Sequence, residues 1–113
     1  MNDVFHIKQG DLWPPLEAWL LQANGEPIPL QPSDVVLFIM TPLNRRNTQV
    51  IQSPVNIIDH EEAHIKYNWQ AGDTEHAGSF QGEFHILMDG YKPVTVPNNQ
   101  YFSVIIEHKL RAE

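Results

Sequence analysis

Ser79 to Met88 reads SFQGEFHILM. Phe80, Gly82, Phe84, Ile86 and Met88 fall on one side of a period of two, and Ser79, Gln81, Glu83 and His85 fall on the other. Side chains of an extended chain point to opposite faces in turn, so this stretch predicts a strand with one dry and one wet face. YFSVIIEHK (Tyr101–Lys109) is β-branched and aromatic in the same manner. VVLFIM (Val35–Met40) is apolar on both faces, as a central strand would be. Asn24-Gly25 and Asp89-Gly90 each stand between apolar runs and predict tight turns. Nine prolines leave few windows for a long helix, and the gap from Val55 to Lys92 keeps a period of two. Extended runs over 4–8, 16–22, 35–40, 49–52, 55–58, 64–69, 79–88, 93–96 and 101–109 merge into seven or eight strands. The expected fold is all-β, an antiparallel β-sandwich forming a single domain over residues 1–113. Phe38, Trp69, Phe80, Phe84, Ile86 and Ile105 are the expected core between its sheets.

Composition narrows the function classes. Fourteen acidic and seven basic side chains give a net charge of −7, which repels nucleic acid; Arg45–Arg46 is the nearest thing to a basic patch and reads as a loop tip. The chain has no cysteine, so neither disulfides nor thiolate zinc sites are available. The opening MNDVFHIKQG lacks a basic start and an apolar core, and predicts no secretion signal. The apolar run Val35–Met40 is too short to cross a bilayer, so no membrane partner is expected.

One motif argues for chemistry. His60-Glu61-Glu62-Ala63-His64 has the spacing of a zinc peptidase, which needs both histidines on one face of a helix and the glutamate beside the bound water. Here an extended run ends at Asp59, and Ile65, Tyr67 and Trp69 alternate with Lys66 and Asn68 directly afterwards. Only a hairpin turn fits between them. Tyr67 also stands where the longer metzincin motif requires glycine. The expectation is therefore no catalytic residue, no metal site and no cofactor. A weaker possibility is a metal held at one end of the sandwich by His60, His64 and His76. Asp59, Glu61, Glu62, Asp73 and Glu75 cluster in two loops without calcium-loop spacing and read as a solvated rim. Trp13, Trp19 and Trp69 are candidates for a sugar-stacking platform, with core or interface packing the commoner use.

Three ordered stretches carry a resemblance: Phe5–Met40, Ile65–Ile86 and Asp89–Ile106. Their markers are Gly10, Asp11 and Pro14; Asn24, Gly25 and Pro27; Tyr67 and Trp69; Gly72, Asp73, Thr74, Ala77 and Gly78; then Phe80, Phe84 and Pro97. In order and spacing the chain resembles the amino-terminal immunoglobulin-like domain of phage baseplate upper proteins and related short β-sandwich proteins of phages and prophages. The resemblance implies an immunoglobulin-like sandwich in which these residues are structural. Asp73 and Thr74 would cap a tight loop, and Tyr67 and Trp69 would pack the core. It further implies a non-enzymatic virion component of the tail or baseplate, present in the host cytoplasm during assembly and in the particle afterwards. Its partners would be other virion proteins or copies of itself. Baseplate upper proteins continue into a stalk and attachment region, whereas this sequence stops at EHKLRAE, so the expectation is an assembly or adaptor role. The alternative is a binding module for carbohydrate or another small ligand. Docking would use strand edges: Val4–Ile7 and Phe102–Ile106 read as open, and the proline-rich Glu26–Pro32 as a protected edge.

Overall fold

The computed structural model describes residues 4–43, 51–88, 92–97 and 102–110. Nine strands form two sheets, and no helix is present among the described residues. The strands are β1 (Val4–Lys8), β2 (Leu16–Trp19), β3 (Val35–Pro42), β4 (Ile51–Pro54), β5 (Asn56–Asp59), β6 (His64–Tyr67), β7 (Gly78–Met88), β8 (Lys92–Val96) and β9 (Phe102–Glu107). The larger sheet runs β1-β9-β7-β3-β4, with β8 also on β7, and the smaller runs β2-β6-β5. All pairings are antiparallel except β1 with β9, which is parallel.

β7 organises the larger sheet. β3 takes one edge of it from Phe80 to Leu87. β9 and β8 share the other edge end to end, pairing with Gly78–Gly82 and Phe84–Met88 respectively. Nine strands therefore occupy eight lanes, five facing three. Phe80, Phe84 and Ile86 turn inward as the alternation predicts, and Gly82 sits between them where a side chain would collide with the ring of Phe102.

The core lies between the sheets. Phe38 is fully buried, with the rings of Tyr67, Trp69, Phe84 and Phe102 around it at centroid distances of 4.9 to 6.0 Å. One expected core residue is misplaced. In β9 it is Val104 and Ile106 that are buried, and Ile105 lies half-exposed on the outer face. The proline-rich segment is no strand edge. Ile28 donates its N–H to Leu20 O (2.9 Å), a hairpin turns through Asn24-Gly25, and Ile28 and Leu30 are buried. Gly25 has φ +89°, and Asn24 Oδ1 accepts from Glu26 N–H (3.0 Å), so the turn signal acts by the expected chemistry. The Asp89-Gly90 turn and Arg45–Arg46 lie outside the described residues.

The two lateral seams of the sandwich differ. On one side β4 passes into β5 through the single residue Val55, whose N–H reaches Val36 O (3.0 Å), so backbone closes that side. On the other side β1 and β2 are joined only through the loop 9–15, and no strand among those described bridges the gap.

Candidate docking surface

The marker residues gather mainly at one end of the molecule, in a clasp of loops. The Tyr67 hydroxyl donates to Asp73 Oδ2 at 2.5 Å, and the same oxygen accepts Gln70 N–H at 2.8 Å. Burial chiefly, then the bond to Asp73 and its charge, raise the Tyr67 phenol pKa far above its ordinary value of 10, with the Ser53 side chain acting in the opposite sense. Thr74 is buried and donates through Oγ1 to Asp11 O at 2.9 Å, while Gly10 N–H donates to Thr74 O at 2.9 Å. The Gln9 side chain reaches Glu75 O at 2.8 Å, and Lys109 pairs with the Asp11 carboxylate. Gly10 and Gly72 have positive φ along these loops, as does Gly78 where β7 opens, and the Trp13–Pro14 peptide is cis. Asn24 and Gly25 stand apart, in the hairpin after β2.

These polar groups are engaged in holding backbone. Asp73 and Thr74 cap the loop, and Asp59 Oδ1 accepts from Glu61 and Glu62 N–H at 2.9 and 3.2 Å to shape the β5–β6 turn. His60 lies in that turn and His64 opens β6, so the peptidase-like motif spans a hairpin rather than a helix. His76 lies in the loop at the other end of β6, which separates it from His60 and His64. Among the described residues no three His, Asp or Glu side chains converge as a metal site would require.

The tryptophans separate as well. Trp69 is core, 4% exposed, against Phe5, Phe38 and Tyr67. Trp13, 76% exposed, is in the β1–β2 loop, and Trp19, 52% exposed, is at the far end of β2. A three-tryptophan platform does not form. Trp19 instead lies flat on His64, with ring centroids 4.3 Å apart and planes 5° from parallel. The ring N–H of His64 Nε2 donates to Glu17 Oε1 at 2.9 Å. Sequence reading missed this cluster, although the alternation Leu16-in, Glu17-out, Ala18-in, Trp19-out places Trp19 on the outer face.

The open seam contains an apolar groove of about 360 Å³. β2 supplies Leu16 and Ala18, Leu20 follows directly after it, and Phe5, Phe84 and Phe102 come from the larger sheet opposite. A second hollow of about 390 Å³ shares Val96 with it and continues along β8 past Leu21 and Ile28. The edges bordering the groove correct one expectation and keep another. β9 is not a free edge, since β1 and β7 occupy its two sides. β1 is outermost among the described strands.

No family model matches this chain, and no curated protein matches it.

Proposed function

We propose that this protein is a non-enzymatic assembly component of a phage or prophage particle, in the tail or baseplate, and that it acts by docking to other virion proteins. The observation that carries the docking part is the open seam. It is an apolar groove bordered by two strand edges, on a domain whose half-buried Asp73 carboxylate and buried Thr74 hydroxyl are engaged in holding backbone. The strand order supports the finer reading of an immunoglobulin-like sandwich. β2, β6 and β5 would stand as strands B, E and D, and β3, β7 and β9 as C, F and G. The virion setting rests on the ordered resemblance of Gly10-Asp11, Asn24-Gly25, Tyr67-x-Trp69 and Gly72-Asp73-Thr74 to phage baseplate proteins. The protein would pass from host cytoplasm into the particle.

Mass spectrometry of gradient-purified particles tests the setting. The protein is expected at a fixed ratio to tail proteins, and its absence from tail-containing fractions overturns the reading. The alternative, a carbohydrate-binding module, predicts instead that Trp19 fluorescence shifts on adding oligosaccharides and that Trp19→Ala abolishes the shift.

A further inference from the structure

We propose that the open seam takes one extended strand from a different protein, added to the free edge of β2 as a fourth strand of the smaller sheet. The inference rests on the docking reading above and names the site and the chemistry of its occupant.

Lane arithmetic makes the vacancy. The sheets have five and three lanes, and the Val55 crossing holds them level on the β4–β5 side. The larger sheet therefore overhangs by two lanes on the β1 side, roughly 10 Å at the usual strand spacing. A strand laid on β2 would cover half-buried Phe5 and Phe102 and bury its own inward side chains against them. A strand laid on β1 would lie outside the sandwich with no described strand facing it.

The edges differ in how they resist pairing. β4 ends in Pro54, β5 carries a bulge between Ile57 and Asp59, and β8 contains Pro93. β1 presents His6 and Lys8, both engaged with Glu107. β2 has neither proline nor bulge. Proteins blunt exposed edges by such devices; β2, whose one charge is Glu17, held by His64, is the least protected of these edges and the one fitted for a partner. Leu20 N–H bonds to Ala63 O on the β6 side. By alternation Glu17 and Trp19 turn their backbone N–H and C=O toward the vacancy.

The occupant is a foreign segment rather than a second copy. β2 is recessed behind the lanes of β9 and β1, so a single extended chain reaches it, whereas another sandwich would strike β1 with its own facing sheet. Each copy also carries a charge of −7, which opposes self-association and favours a basic partner. Glu17, on the outer face beside the vacancy, is half-exposed. The partner segment should place apolar side chains at alternate positions over Leu16 and Ala18, with lysine or arginine between them.

The test uses the whole protein and synthetic peptides of about eight residues with valine or isoleucine at alternate positions. The intervening residues are lysine in one set and glutamate in the other. Amide exchange by NMR should slow at Glu17 and Trp19 with the lysine set, with binding at least about tenfold weaker for the glutamate set. Ala18→Phe fills the groove and should abolish protection while leaving the thermal midpoint unchanged or higher. Glu17→Lys should remove the preference for lysine peptides. Protection at β4 or β5 instead, no protection with either set, or protection of Glu17 and Trp19 by dimerisation without peptide would each overturn the proposal. Particle association is measured separately, so a protein present in tails with an inert β2 edge would sink this inference and spare the broader one.

Discussion

The two seams of this sandwich solve the same problem in opposite ways. At β4–β5 the chain itself crosses from sheet to sheet through Val55, and its backbone closes that side. At β1–β2 the connection runs around the end of the molecule through the clasp of Gly10, Asp11 and Thr74, and no strand among the described residues covers that side. A connection by one residue closes a seam, whereas a connection by a loop holds the layers together and leaves an edge unpaired. The first arrangement contributes stability and the second leaves a surface.

Substitutions can break that contrast. The largest effect belongs to Phe38→Ala, which empties the centre of the aromatic cluster and should cost about 3–5 kcal/mol in urea unfolding. A cost below about 1 kcal/mol would mean that the sheets are not held by this cluster. Gly82→Ala comes next, because the new methyl would meet the Phe102 ring at 2.5 Å. The ring must swing, and since Phe102 lines the groove, one substitution should both destabilise by about 1–3 kcal/mol and alter peptide binding at the open seam.

The clasp gives the third test. Asp73→Ala leaves the buried Tyr67 hydroxyl and Gln70 N–H without their acceptor, and should cost about 1–3 kcal/mol, much of it recovered in the double variant with Tyr67→Phe. The same pair sets a pH dependence. The Tyr67 pKa is raised in the folded state, so its contribution is fully present below the ordinary phenol value of about 10 and is lost as pH rises from there toward the folded value. Alkaline titration at 295 nm should show a late-ionising phenol that Tyr67→Phe removes, together with a shallower loss of stability above that pH. The smallest effect is expected for Trp19→Ala. In the isolated protein its loss should change stability by less than about 1 kcal/mol, because the indole is half-exposed and its main partner is the His64 ring. A larger change would mean that the Trp19–His64 stack supports the fold.

Local periodicity carried much of this structure. Ser79–Met88 announces its strand because its faces differ in polarity, and the alternation of Ile65, Tyr67 and Trp69 puts the histidine-glutamate motif in a hairpin. Val104, Ile105 and Ile106 are equally apolar, so periodicity cannot say which of them turn inward, and the sequence alone puts Ile105 in the core. Neither could it reveal that β9 lies between β1 and β7, because lane order depends on long-range pairing. Glu26–Pro32 read as an edge from its prolines, yet Ile28 and Leu30 between them are buried. The open seam was hidden for a related reason: it is a difference in width between two sheets, and no single strand encodes it.

The parallel ladder of β1 and β9 has a mechanical consequence. Val4 enters it opposite Ser103, and Glu107 leaves it opposite Lys8, so the two ends of the ladder are where the chain comes in and goes out. Tension applied upstream of Val4 and downstream of Glu107 would slide the two strands along each other, loading all five paired positions together rather than peeling them singly. Gln9 N–H to Glu107 O (2.7 Å) and the contacts of His6 and Lys8 with Glu107 resist the same displacement. Placed in line within a load-bearing assembly, the domain would behave as a stiff link, yielding by one abrupt rupture instead of gradual unravelling.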